Sequence, residues 1–337
     1  MRGTLLSGLL VTAVIGLVAL QVMTPWDAPD APAAAPAPWP AAPGSAPPRL
    51  QLGVTTKALA LNSYRPWQER DLVQVNAFER AARRHSDVVM WFADWAHVAG
   101  FDAKQAQAVA ARGSVPEISW EPWDSRGGPS QPRYRLASII AGDHDPYIQR
   151  WAREIAAYGK PVRLRFAHEM NGRWYPWAER ANGNRPGEFA QAWRHVHRIF
   201  ARARADNVDW VWSPVTGAVD RRLYPGSRQV DTLAVSGFIA GRGVFRRRFR
   251  SFAKAFGDSL TALHRLAPSK PVTLSEIGVG GSAAQKADWI RGMFDEIERR
   301  PYVRAVVWFD LRKEADWRVS TSPQSAGTFA AGLSAAG

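Results

Sequence analysis

Two glutamates stand where a carboxyl group could work on a substrate. Glu169 ends the run Arg163-Leu164-Arg165-Phe166-Ala167-His168-Glu169, and Glu276 ends Val272-Thr273-Leu274-Ser275-Glu276. Each follows a short apolar segment of the kind that forms a buried strand. Extended alternation sets Arg163, Arg165, Ala167 and Glu169 on one side of the first run, and Val272, Leu274 and Glu276 on one side of the second. In a closed parallel barrel the residues just after the strands gather at one rim, so both glutamates can face a common lumen. Glycoside hydrolysis needs two carboxyl groups across one bond, one giving a proton to the departing oxygen and one acting at the anomeric carbon. The competing assignment, in which each glutamate is a buried partner of arginine, does not explain why both follow apolar runs at the same rim.

The elements that must hold these groups recur along the chain as short apolar runs between longer amphipathic stretches, the rhythm of βα units. The runs are residues 50–55, 88–91, 115–120 and 162–166, then 208–212, 232–238, 272–277 and 303–309. About eight strands is the number of an α/β barrel. Of the intervening helices, the clearest is expected over residues 245–266, where Phe245, Phe249, Phe252, Phe256, Leu260, Leu263 and Leu266 fall three or four apart. Residues 189–203 repeat the pattern with Trp193, Val196 and Phe200. His195 and His197 there are two apart and do not share a helix face, so they read as surface or packing residues, not metal ligands.

Before the barrel, residues 5–23 form an unbroken apolar run of about 19 residues, long enough to cross a hydrocarbon core. Arg2 precedes it, which orients the remainder outward from the cytoplasm. No small-x-small cleavage site follows closely, so the segment reads as an uncleaved signal anchor in the inner membrane, a cleaved signal peptide being the alternative. Residues 24–48 are a Pro/Ala-rich spacer, and 49–337 form one catalytic domain facing the periplasm, or secreted if the leader is removed.

The 337 residues suffice for a large core, and charged residues at 22% and apolar residues at 46% describe a globular chain, not a membrane bundle or a disordered one. The absence of cysteine removes thiolate catalysis, disulfides and Cys-based zinc sites. The formal charge of +14 admits acidic polymers or anionic lipid as partners, but arginine as the preferred surface cation explains it equally. The cluster Arg246, Arg247, Arg248 and Arg250 is expected on the outer face of its helix, as a solvated surface.

The residues from Arg165 through His168, Glu169, Asn171, Gly172, Trp174 and Trp177 resemble the acid/base motif of glycoside hydrolase family 26, and Ser275-Glu276-Ile277-Gly278 resembles its nucleophile motif. The resemblance runs from about residue 50 to the C-terminus. It implies a (β/α)8 barrel and a retaining double displacement on a β-linked glycan, mannan or mixed-linkage glucan, with Glu169 as acid/base and Glu276 as nucleophile. It also implies that His168 contacts the sugar near its 2-hydroxyl. No cofactor or metal is expected, nucleic acid is disfavoured because an exported domain rarely meets it and no known binding motif is present, and the protein is expected to act as a monomer on polysaccharide. Arg165, one layer below Glu169, is the expected source of positive field for Glu276. Among sixteen tryptophans, Trp174, Trp177 and Trp308 flank the two motifs and are expected to stack on sugar rings, with Trp95, His97, Trp120, Glu121 and Asn171 as further subsite candidates. Members of the family place a tyrosine after the sixth strand to bond the nucleophile; Phe238 stands there and lacks the hydroxyl. That departure leaves open a different donor to Glu276, a catalytically silent glycan-binding protein, or an envelope-anchored accessory.

Overall fold

The strands form where the apolar runs lie, because β-branched and aromatic residues gain most from a pleated surface buried on both sides. They are β1 (Gln51–Thr56), β2 (Val88–Asp94), β3 (Val115–Glu121), β4 (Val162–Phe166), β5 (Val208–Trp212), β6 (Thr232–Ile239), β7 (Val272–Val279) and β8 (Val303–Asp310). All pair in parallel with their sequence neighbours, and β8 pairs with β1 from Gln51↔Ala305 to Thr56↔Asp310, closing the barrel. This computed structural model describes residues 49–337 apart from 61–66, 242–243 and 245–247. The expected membrane segment and spacer, with Phe245, Arg246 and Arg247, lie outside the described residues.

The helices, in chain order, are α1 (Lys57–Ala60), α2 (Val73–Ala82), α3 (Ala103–Ala111), α4 (Leu136–Ala141), α5 (Asp145–Tyr158), α6 (Glu188–Arg202), α7 (Phe252–Leu266), α8 (Ala283–Glu298) and α9 (Pro323–Ala335). None among the described residues is long and apolar enough to cross a membrane. Helix α6 presents Phe189, Trp193, Val196, Ile199 and Phe200 to the barrel wall, the stripe its periodicity requires. His195 bonds Asp145 at 2.6 Å and His197 packs on Trp210, which gives both a place in the helix layer.

Helix α7 starts later than its periodicity suggests. Ser251 is extended and its hydroxyl accepts from the amide of Lys254, which caps the helix at that point. Phe249, Arg248 and Arg250 therefore precede the helix and do not lie on its face.

The barrel wall separates the helix layer from the interior. Leu164, Phe166, Trp120, Leu274 and Trp308 point outward and join the helices in one continuous core, while Val88, Met90 and Val307 form a small cluster apart from it. Met90 lies near the hydroxyls of Ser119 and Ser275, on β3 and β7, which places that cluster inside the barrel. Above it the interior is polar. Arg163 bonds the Thr273 hydroxyl at 3.0 Å and approaches Glu117 and Asp209, and Ser275 donates to Glu117 at 2.8 Å.

Candidate active site

Regular alternation carries the glutamates only part of the way. In β7 it is Thr273 and Ser275 that reach inward, whereas Val272 and Leu274 pack outward, the reverse of the phase expected from sequence. Glu276 enters the interior because the strand bulges there. Toward β8, Ser275 pairs with Val307 and Ile277 with the very next residue, Trp308; toward β6, Leu274 and Ile277 pair with Val235 and Gly237. Glu276 is the extra residue, with a left-handed φ of 62°. Gly278, just beyond, leaves room for the crossing rings: a Cβ there would stand 3.2 Å from Phe238 and from Trp317.

At the end of β4 the chain turns left-handed twice, at Ala167 (φ 46°) and Glu169 (φ 55°). Such backbone costs on the order of 1–3 kcal/mol per residue and persists only where surrounding bonds impose it. Here the amide of Ala167 donates to Trp120 O at 3.0 Å, that of Glu169 to Ser213 O at 2.7 Å, and the Trp177 indole to His168 O at 2.7 Å. The result aims consecutive side chains, His168 and Glu169, at the same cleft.

The two carboxyl groups have different surroundings. Glu169 accepts from the Ser236 hydroxyl at 2.6 Å and from the Trp174 indole at 2.8 Å, both neutral donors. Glu276 accepts from Arg165 Nη1 at 2.6 Å, and Arg165 is itself fully buried and braced on Ser119. Burial pushes the Glu276 carboxyl up to about 7; Arg165 opposes the rise and the charge of Glu169 adds to it. The arginine field expected at this residue is present, but desolvation outweighs it. His168 sits 3.8 Å from Glu276 and is held well below its ordinary value by burial and by Arg165, so it stands there as a neutral imidazole.

Comparison with known proteins bears on this pair directly. A model of glycosyl hydrolase family 26 matches residues 136–278, a stretch that takes in both glutamates. Endoglucanase H of Acetivibrio thermocellus is 33% identical over 74% of this chain. The chain belongs to glycosyl hydrolase family 26. It spans 28% of that endoglucanase's length, and 18% of the mannan endo-1,4-beta-mannosidase A and B of Caldalkalibacillus mannanilyticus, which is 35% identical over a quarter of this chain. In fold it is similar to a GH26 beta-mannanase from Bacteroides ovatus, at a TM-score of 0.60 and 17% identity over 84% of this chain and 88% of that one.

Within this family 26 barrel, several expected sugar contacts are otherwise engaged. Trp120 and Trp308 are wholly enclosed on the outer side of the wall, Trp120 by Tyr147 and Trp151 and Trp308 by Trp289 and Phe329. Both were expected at the cleft because they end strands, but their alternation phase is outward. Trp95 likewise stacks in the layer of Trp120, Tyr147 and Phe166. Trp177 is buried behind Tyr175, ring on ring at 4.2 Å. Asn171 spends its amide on the backbone, exchanging bonds with Val215 at 2.8 and 2.9 Å, so it ties the β4 loop to the β5 loop instead of presenting itself to a ligand. His97 is tied to Asp94 at 2.7 Å.

Trp174 does keep an open ring, 48% exposed, while its indole bonds Glu169. Gly172 permits this fold-back, since a Cβ there would lie 2.6 Å from the Trp174 ring. Phe238 packs edge-on to Phe309 and against Trp317, and the side-chain hydrogen bond that Glu276 accepts comes from Arg165. The loop bearing Trp317 is pinned by Lys286, whose ammonium bonds the carbonyls of Asp316 and Arg318 at 2.8 Å.

Three residues of the site went unassigned in the sequence. Tyr175 bonds His168 Nε2 at 3.1 Å and feels all three carboxylates, Glu169, Glu121 and Glu276. Ser236 holds Glu169, and Trp123 bonds Glu121. Tyr175 was legible as the residue between two flagged tryptophans; Ser236, two before Phe238 on the same strand, carried no signal of its own.

Proposed function

We propose that this chain is a retaining endo-β-glycanase cleaving β-1,4 linkages of a mannan or mixed-linkage glucan backbone by double displacement. The observation that carries the proposal is the pair Glu169 and Glu276, each in left-handed backbone at the rim of one parallel barrel. The names of its relatives, an endoglucanase and a mannosidase, support the substrate class.

In the first step a Glu276 oxygen attacks the anomeric carbon as the glycosidic bond breaks, and Glu169 gives its proton to the departing oxygen. In the second, Glu169 as carboxylate takes a proton from water, whose oxygen displaces Glu276 from the sugar, and both groups return to their starting states. Arg165 supports the charge on Glu276 each time it is released. Trp174, with an open face and an indole on Glu169, couples sugar stacking to the orientation of the acid.

The test is product analysis on defined mannan and mixed-linkage glucan oligosaccharides with wild type, Glu169→Gln and Glu276→Gln, following anomeric configuration by NMR. Wild-type cleavage with retention is expected. Inverted product, or equal absence of activity in all three proteins, refutes the reading. The apolar residues 5–23 further suggest a domain tethered at the inner membrane, serving exopolysaccharide processing at the envelope; recovery of the full chain from cells in the soluble fraction counts against the tether.

A further inference from the structure

Glu121 ends β3 and is 5% exposed, as deep as Glu169 and Glu276 at 7% each. Its Oε1 lies 3.8 Å from His168 Nε2, the same nitrogen that lies 3.8 Å from Glu276 Oε2. One imidazole nitrogen therefore sits between the two carboxyl groups, with the Tyr175 hydroxyl on it from a third direction. Glu121 Oε2 accepts from the Trp123 indole at 3.2 Å, and no hydrogen bond among the described residues engages Oε1.

A buried carboxyl with a purely structural task takes a cation or several donors, because the charged form is costly to desolvate. Glu117, four residues earlier on β3 and also fully buried, does so: it has Arg163 at 3.4 Å and the Ser275 hydroxyl at 2.8 Å. Glu121 has one neutral donor. Burial pushes it up to about 8, Glu276 on β7 and Asp94 on β2 push the same way, and the Trp123 indole and Arg165 on β4 oppose them. His168 beside it is neutral and Tyr175 keeps its proton, so no cation faces it directly. At neutral pH the site thus holds a carboxylic acid with one oxygen uncommitted.

We infer that Glu121 is a third carboxyl of the reaction centre, whose proton is donated in a hydrogen bond to a hydroxyl of the sugar seated on Glu276. The inference rests on the hydrolase reading. The residue binds and positions; it neither attacks nor transfers its proton. Loss of that proton at high pH removes the donor to the sugar hydroxyl and sets a second negative charge beside Glu276, which weakens sugar binding.

The experiment compares wild type, Glu121→Gln and Glu121→Leu by kcat and KM between pH 5 and 9 on the β-glycan that wild type cleaves fastest. Glutamine keeps a neutral donor that cannot ionise. Glu121→Gln is expected within about threefold of wild-type kcat/KM at pH 6 and without the wild-type fall near pH 8, whereas Glu121→Leu loses about 10- to 100-fold, the worth of a buried bond to substrate. An alkaline limb in Glu121→Gln that coincides with wild type, or full activity in Glu121→Leu, overturns the inference. If Glu121→Leu does not fold, the Glu121→Gln profile alone decides. Wild-type inactivity on every β-glycan refutes the hydrolase reading instead, and calorimetric binding of a β-linked oligosaccharide then judges Glu121: equal affinity in wild type and Glu121→Gln at pH 6 but a loss confined to wild type at pH 9 supports it, and identical pH dependence overturns it.

Discussion

The ends of β4 and β7 solve one problem in two ways. Both must set a glutamate in the cleft at a strand end, and both do so with that glutamate in left-handed backbone. At β4 the turn is imposed by backbone bonds to Trp120 and Ser213 on the flanking strands and by the loop that follows: Trp174 bonds Glu169 from five residues on, Trp177 bonds His168 O, and Asn171 locks the loop to β5. At β7 the turn is a single bulged residue, and the bond that holds its carboxylate comes from Arg165, 111 positions earlier in the chain. Glu169 is therefore placed by a contiguous loop together with bonds to Ser213 and Ser236, Glu276 by register and one buried cation. That difference explains why a long sequence motif surrounds Glu169 and only a short one surrounds Glu276.

The comparison is open to direct attack. The largest effect is expected from the carboxyls themselves. On the proposed mechanism Glu276→Gln replaces the attacking carboxylate with a neutral amide and should leave no measurable turnover on any substrate, while Glu169→Gln loses about 10²- to 10⁴-fold on glycans but retains its first step on aryl glycosides whose leaving group needs no proton. Identical behaviour of the two variants on an aryl glycoside would erase the assigned difference in role.

Next is the buried cation. Arg165→Met strands Glu276 in a desolvated site, with an expected fall of about 100- to 1000-fold in kcat and about 3–5 kcal/mol in stability by denaturant unfolding. Ser236→Ala removes one of two neutral donors to Glu169 and should cost no more than about tenfold in kcat. Equal losses from the two would mean that both carboxyls are held alike. Trp174→Phe, which keeps a ring but deletes the indole N–H, is expected near the Ser236 value.

The smallest effect is in pH dependence. Since Glu276 must be ionised to attack and sits at about 7, kcat/KM should fall below neutral pH, and Glu169→Gln should shift that limb to lower pH by removing a like charge. The stability sign follows. A carboxyl raised from 4.5 to about 7 favours the folded state fully below pH 4.5 and loses that contribution as pH rises through 7. Glu276→Gln should therefore gain melting temperature relative to wild type at pH 8 but not at pH 4; a pH-independent difference would show that burial does not set this group.

The chain's own residues determine the strand count, the α6 stripe and the loop that folds Trp174 onto Glu169, because each depends on local periodicity or on a contiguous motif whose parts touch one another. Alternation also read the inward face of β4 correctly through Arg163 and Arg165. Tertiary structure alone decided the rest. The bulge at Glu276 exists only where β7 meets β6 and β8, so counting along β7 put Leu274 on the wrong side. Whether a strand-end tryptophan meets sugar or a helix turns on phase against neighbours, which sent Trp120 and Trp308 outward and left Trp174 in the cleft. The proton on Glu121 and the charge on Glu276 answer to burial and to groups from β2, β3, β4 and β7 at once, and electrostatics of that kind has no counterpart in the spacing of residues along a line.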